Sequence, residues 1–230
     1  MNLQRQTLVF DADDTLWENN ILFERVIADF VAWLKHPTLR TEEVRAVFDD
    51  IERANTVAHG YGSQVFLRTL GDCFAQLSER PVTTAERQHI ESLAIALLEH
   101  RVELVPGVSQ TLAELGSRHE LYLLTKGAPD EQQRKIEVSG LAHHFRDTFI
   151  VAEKDLAVYL DLAERLTLDP ATTWMIGNSP KSDILPARRA GWNAVFLPND
   201  NTWALEHDEL DPTDSSVLQL SRLSQLTDHF

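Results

Sequence analysis

The sequence predicts an α/β protein, a doubly wound parallel sheet interrupted after its first strand by an all-helical segment. Three observations carry this expectation. A short apolar run, Leu8-Val9-Phe10, leads straight into Asp11-Ala12-Asp13-Asp14. From there to about residue 101, apolar positions recur at spacings of three and four, the period of a helix. From Val102 onward, short apolar runs alternate with helical stretches, and such alternation builds a parallel sheet covered by helices on both faces.

The elements follow in order. Leu8-Val9-Phe10 reads as a buried strand. Phe23, Val26, Ile27, Phe30, Val31 and Leu34 then form one helical stripe, and Val44, Val47, Phe48 and Ile51 a second after a Thr41 cap. Phe66, Leu70, Phe74 and Leu77 make a third. Ile90, Leu93, Ala94, Leu97 and Leu98 make a fourth, opened by Thr83 and Glu86 at capping-box spacing. The segment is the size of a four-helix bundle, which packs its stripes inward. It is inserted into the α/β domain, with residues 17–101 expected in the helical part and residues 1–16 and 102–230 in the core. After Val102, Pro106-Gly107 opens a helix to about Ser117, 121–125 is a strand, and Pro129 suits a first helical position. A strand at 149–151, a helix at 155–166, a strand at 173–176, a helix through 187–190 and a strand at 194–197 complete the pattern.

Composition narrows the function classes. At 43% apolar and 25% charged residues, 230 residues suffice for one full core and a smaller second domain. No apolar run is long enough to cross a membrane as a helix, no hydrophobic leader is visible, and one cysteine, Cys73, excludes an intrachain disulfide framework. A cytoplasmic protein is expected, with Cys73 a small buried filler in an amphipathic helix. A formal charge of −15 without a basic stripe argues against a nucleic-acid partner. A small anionic substrate stays admissible, because a bound cation and one or two lysines can set the local potential.

The acidic cluster carries the chemistry. Three carboxylates beside a buried strand repel one another unless a cation or a shared proton relieves them, which points to a divalent metal site. Asp11 and Asp13 are two apart and share a face if the strand continues, so one could attack a substrate while the other handles protons. An isolated DxD is more often a polar strand exit with a helix cap. Three further segments bear on the choice: Leu121-Tyr122-Leu123-Leu124-Thr125-Lys126-Gly127, Ala152-Glu153-Lys154-Asp155, and Trp174-Met175-Ile176-Gly177-Asn178-Ser179-Pro180-Lys181-Ser182-Asp183. All fall at the carboxyl ends of expected strands or in the loops that follow, where open α/β sheets keep their sites.

In this order and spacing the segments resemble the four motifs of the haloacid dehalogenase superfamily. The resemblance implies a Rossmannoid core of that superfamily's type, with the helical insertion as a C1-type cap acting as a lid over a small substrate. It makes Asp11 the nucleophile, forming an aspartyl phosphate, and Asp13 the general acid and base. Thr125 would donate to a phosphoryl oxygen and Lys154 would neutralise Asp11 and the transferring group. Outside the motif positions, Lys126 and Lys181 read as plain loop charges or as aids to anion capture, Lys126 then joining Thr125 and Lys154 in substrate binding. A Mg²⁺ ion would be held by Asp11, by the main-chain carbonyl of Asp13 and by Asp183.

Position 178 departs from the motif, carrying Asn where Asp is usual. Asn178 is therefore expected as an adjacent ligand or as a holder of a metal-bound water, with less charge to offer. Haloacid dehalogenases lack the second Asp of DxD, so Asp13 favours a phosphatase over a dehalogenase. The combined motifs, with Thr202-Trp203-Ala204-Leu205-Glu206-His207, look like a bacterial subgroup known only as hydrolases.

The reading is thus a Mg²⁺-dependent phosphomonoesterase acting on a small phosphorylated metabolite, with no nucleic-acid or membrane partner and no indication of oligomeric state. A phosphotransferase or mutase, and a noncatalytic binder of phosphometabolites, are the alternatives. Trp17, Asn20, His59, Tyr61, Gly60 and Gly62 are candidates for lining a cleft, although packing or turn roles explain each more simply. Asp14 and Thr15 could fix the first loop or touch substrate, His143 and His144 suit a helix end, and Trp203 suits a cleft rim or a tail anchor.

Overall fold

Leu8, Val9 and Phe10 form the expected strand, β1 (Thr7–Phe10), and all three side chains are fully buried. In the computed structural model, which describes residues 5–99 and 102–230, the chain divides into two units, Met1–Asn20 with Val102–Phe230 and Ile21–Arg101. The boundary expected at residue 101 falls outside the described residues. Residues 17–20, expected with the helical segment, group with the sheet instead. The reason is local: β2 (Trp17–Glu18) is paired antiparallel with a short strand on the returning chain, and Trp17 is buried.

The helical unit carries α1 (Asn20–Leu34, its first residue grouped with the sheet), α2 (Thr41–His59), α3 (Ser63–Ser78), α4 (Thr84–Leu93) and α5 (Ile95–Leu98). Thr41 is the first helical residue of α2 rather than its cap; Glu43 takes the main-chain N–H of Arg40 at 2.9 Å instead. The fourth expected helix is two, broken at Ala94, and the side chain of Leu98 lies outside the described residues. Val26, Ile27, Phe30, Phe48, Phe66, Leu70, Phe74, Ile90 and Leu97 close one core around Cys73. Burial pushes the Cys73 thiol up to about 12, so it is an inert filler.

The sheet unit continues with β3 (Glu103–Leu104, the partner of β2), α6 (Val108–Gly116), β4 (Glu120–Lys126), α7 (Pro129–Ser139), β5 (Asp147–Val151), α8 (Leu156–Leu166), β6 (Thr173–Gly177), α9 (Leu185–Arg189), β7 (Asn193–Phe196), β8 (Val217–Gln219) and α10 (Leu226–His229). The main sheet is six-stranded and parallel throughout, in the order β5-β4-β1-β6-β7-β8. Period-two alternation sends Leu8 and Phe10 to one face, against Leu112, Leu115, Ile136, Leu226 and Phe230. Val9 goes to the other, with Tyr159, Leu162, Ala187 and Trp192. The chain builds outward from β1 through β4 to β5, then returns to the opposite side of β1 for β6. Strand order therefore reverses beside β1, and the crevice at the carboxyl ends of such strands is where α/β proteins bind ligands.

The capping box the sequence predicts is present at α4: Thr83 Oγ accepts from the Glu86 N–H at 3.3 Å, and Glu86 accepts from the Thr83 N–H at 2.9 Å. Thr83→Ala should lower the unfolding free energy by about 1 kcal/mol in a denaturant titration, with Thr83→Ser close to the parent. Equal stability of all three proteins would contradict this account of the helix start.

Candidate active site

The β1 ladder runs one bond past the strand, with the Asp11 N–H donating to the carbonyl of Ile176 on β6 at 2.9 Å. The chain then turns sharply. Asp14 takes a left-handed conformation at φ 61, its N–H donates to the Trp17 carbonyl at 2.8 Å, and the Leu16 N–H donates to Ala12 at 2.8 Å. This turn fixes Asp11 and Asp13 at the edge of the crevice.

Asp11 lies in one buried network. Lys154, in the loop after β5, places Nζ 2.5 Å from Asp11 Oδ1 and 2.8 Å from Asp183 Oδ1, and its side chain is 1% exposed. The other oxygen of Asp11 accepts from the Thr15 hydroxyl at 2.8 Å, which also lies 3.2 Å from Asn178 Oδ1. Asp183 is held from behind: its Oδ2 accepts from the Ser179 N–H at 2.9 Å, in a wide π turn at Pro180–Ile184 that precedes α9. The Tyr159 hydroxyl donates to the Ser182 carbonyl at 2.8 Å in the same turn. Gly177 is required here, because a Cβ at that position would fall inside the Asp183 carboxylate.

Asp13 lies in a second network. It accepts from Trp17 Nε1 at 2.7 Å, from Gln132 Nε2 at 3.1 Å and from Lys135 Nζ at 3.0 Å on each oxygen. Gln132 also donates to the Thr125 hydroxyl at 2.6 Å, so the end of β4 is tied to the same group.

Electrostatics separate the groups further. Burial pushes Asp11 up to about 7, aided by the neighbouring Asp183 charge and opposed by Lys154. Burial alone would lower Lys154, but Asp11 and Asp183 more than offset it and hold the ammonium above the ordinary lysine range. One lysine thus leaves the Asp11 and Asp183 pair short of positive charge. Burial likewise raises Asp14 to about 7, against the main-chain donors Asn20 and Asn19 that favour its charged form.

The structure brings together Asp11, Lys154, Asp183 and Asn178, and joins Thr125 to Asp13. It directs Lys126 elsewhere, onto Glu206 at 2.5 Å, Ser182 at 2.8 Å and Glu153 at 3.2 Å. Lys181 donates to the Leu205 carbonyl. Asp14 accepts from the N–H groups of Asn19 and Asn20, both at 2.9 Å, so it fixes the loop. Asn20 is an anchor, donating to the Asn201 carbonyl. His59, Gly60, Tyr61 and Gly62 lie around the end of α2 and the start of α3. His143 and His144 sit in a short helical turn after Gly140.

Gln132 and Lys135 were not legible as site residues, and Glu206 and Thr202, whose hydroxyl accepts from the Asn178 amide at 3.0 Å, were visible only within the 202–207 segment, with no role attached. Gln132 and Lys135 offered one signal, a polar pair three apart in the first turns of the helix that follows Thr125. Glu206 stands in the 202–207 segment, but its role there depends on burial against Lys126 and Ser179 from far along the chain.

Among the described residues, no group of three or more His, Cys, Asp or Glu side chains could hold a metal. A cation at Asp11 and Asp183 would have to complete its shell with the Asn178 amide oxygen and the main-chain carbonyl of Asp13. An all-oxygen set suits Mg²⁺ and disfavours softer metals. The charge deficit at Asp11 fits the same ion.

A family model described as haloacid dehalogenase-like hydrolase matches residues 6–191. A phosphoserine phosphatase of Thermus thermophilus is 36% identical over 103 residues, 42% of this chain and 41% of that protein. A glyceraldehyde 3-phosphate phosphatase of Methanothermobacter thermautotrophicus is 27% identical over 128 residues, 53% of this chain and 56% of that protein. The matched stretches thus span only about half of these two relatives. A crystal structure of a haloacid dehalogenase-like family hydrolase from Xanthomonas campestris superposes with a TM-score of 0.83 at 26% identity, covering 98% of this chain and 94% of that one.

Asp14 gives a stability test. An acid raised in the folded state binds its proton more tightly folded than unfolded, so its contribution to stability is lost as pH rises from about 4 through 7. Asp14→Asn keeps an oxygen for the two main-chain donors and removes the buried charge. Its Tm should exceed the parent's by about 2–4 °C at pH 8, by less at pH 5, and by nothing below about pH 4. A variant that melts lower at each of these pH values would contradict the assignment.

Proposed function

Because the chain belongs to the haloacid dehalogenase-like hydrolase family, we propose that it is a phosphomonoesterase that works through an aspartyl phosphate on Asp11 and acts on a small phosphorylated metabolite. The observation that carries this reading is the buried Lys154, held between Asp11 and Asp183 at the carboxyl end of the central strand, with a second acid two residues beyond the first. The two phosphatase relatives support the reaction class. The insertion of Ile21–Arg101 between Asn20 and Val102 supports reading the helical unit as the cap.

Each residue then has a role. A carboxylate oxygen of Asp11 attacks phosphorus and the bond to the leaving oxygen breaks. Asp13 gives that oxygen its proton, then takes one from the water that hydrolyses the acyl phosphate and restores Asp11. Lys154 offsets the charge gathered by Asp11 and the phosphoryl group, and the Thr125 hydroxyl, which accepts from Gln132, keeps its proton for a phosphoryl oxygen. Mg²⁺, held by Asp11, Asp183, the Asp13 carbonyl and Asn178, would supply the remaining positive charge that lets a phosphate dianion approach two carboxylates. A departing halide needs no proton, so dehalogenation would leave Asp13 without a task.

Release of inorganic phosphate from a panel of small phosphomonoesters should require both Mg²⁺ and Asp11, with Asp11→Asn lowering kcat/KM at least about a thousandfold. Turnover unaffected by Asp11→Asn would refute the nucleophile; phosphate passing only to an added alcohol acceptor would replace hydrolysis with phosphoryl transfer.

Metal binding should also depend on pH. Asp11 must be ionised to ligate, and burial holds it at about 7 in the metal-free protein. Mg²⁺ affinity measured by calorimetry should therefore fall by up to about tenfold per pH unit below 7, with proton release on binding. Affinity that is constant between pH 6 and pH 8 would contradict the buried, raised Asp11 carboxyl as the group that must ionise on binding.

A further inference from the structure

The second acid of the first loop is gripped from a helix that carries none of the motif residues. Gln132 and Lys135 are three apart on α7 and so share a face. Lys135 Nζ lies 3.0 Å from both oxygens of Asp13 and 2.8 Å from Asn19 Oδ1. Gln132, only 2% exposed, places Nε2 3.1 Å from Asp13 Oδ2, 2.6 Å from Thr125 Oγ and 3.1 Å from the Lys126 carbonyl. With Trp17 Nε1 at 2.7 Å from Oδ1, each oxygen of Asp13 accepts two bonds. Gly127 adopts φ +146, and a Cβ there would stand 3.0 Å from Gln132 Cγ, so any other residue would be strained and would push the Gln132 side chain by a few tenths of an ångström.

We infer that Lys135, with Gln132 beside it, is a positioning residue for proton transfer by Asp13. This inference rests on the phosphatase reading above. As the bond from phosphorus to the leaving oxygen breaks, the proton on Asp13 passes to that oxygen and Asp13 becomes a carboxylate. The Lys135 ammonium, the Gln132 amide and the Trp17 indole hold the acid in a fixed direction through this transfer. Gln132 also sets the distance from Asp13 to Thr125, and hence from the proton donor to the phosphoryl ligand. In the second step the same clamp returns Asp13 to its place as it takes the proton from water.

The test is the dependence on leaving group, which a merely structural role would not change. Nitrophenolate departs without a proton, whereas an alkoxide needs one. Lys135→Met should lower kcat/KM for glycerol 3-phosphate by about 10- to 100-fold and for p-nitrophenyl phosphate far less, with partial recovery in Lys135→Arg. In an Asp13→Asn background, Lys135→Met should cost nothing further. Equal losses on the two esters, or a loss that adds in full to that of Asp13→Asn, would overturn the inference. If Lys135→Met does not fold, Lys135→Gln serves in the same comparison. A folded parent protein that releases phosphate from no ester of the panel would overturn the phosphatase reading itself, and this inference with it.

Discussion

Two carboxylates and one ammonium group, all buried at the end of β1, are the constraint to which the rest of the site answers. Asp11 and Asp183 come from opposite parts of the chain, and Lys154 lies between them with almost no access to water. Burying charge is costly unless it is paired and hydrogen-bonded, and removing one partner of such a pair typically costs about 3–5 kcal/mol. Much of the surrounding polar structure satisfies these three groups: Thr15 on Asp11, the Ser179 N–H on Asp183, and Tyr159 bracing the turn that carries Asp183. The pairing is nonetheless incomplete, since Asp11 is still held near 7. That imbalance is what a divalent cation, and then a phosphoryl group, would use.

The sheet makes the arrangement possible. A reversal of strand order beside β1 brings the ends of β1, β4 and β6 together. Asp11, Thr125 and the 177–183 turn therefore meet without any one loop having to reach far. Gln132 and Lys135 of α7 hold Asp13 together with Trp17 of its own loop. Glu206 performs a comparable task for Lys126: burial raises this acid, but Lys126 and Ser179 outweigh it and hold it below the usual carboxylate range. The consequence is that a lysine next to Thr125 is tied to an acid instead of standing open to an anion.

The fold was largely legible in the sequence because its signals are local and periodic. Period-two burial in β1 and the three-and-four spacing of the helical stripes each depend on neighbours a few residues away. The same holds for the capping box at Thr83. What was misread depends on distant partners. Trp17 and Glu18 follow the core because of a pairing with Glu103 and Leu104 some 86 positions on, and β8, absent from the sequence pattern, is three residues paired with β7. In the site, Asp11, Lys154 and Asp183 were legible from motif order. Gln132 and Lys135 looked like ordinary polar positions on a solvated helix, and only the register of α7 against the first loop turns them toward Asp13.

The central claim is that Asp11 forms a covalent bond to phosphorus. Rapid quenching of the protein during turnover of a phosphomonoester in the presence of Mg²⁺, followed by borohydride reduction and peptide mass spectrometry, tests it directly. The account predicts conversion of Asp11 to homoserine, only when substrate is present. Steady phosphate release with Asp11 unmodified, or reduction at a different carboxylate, would contradict it.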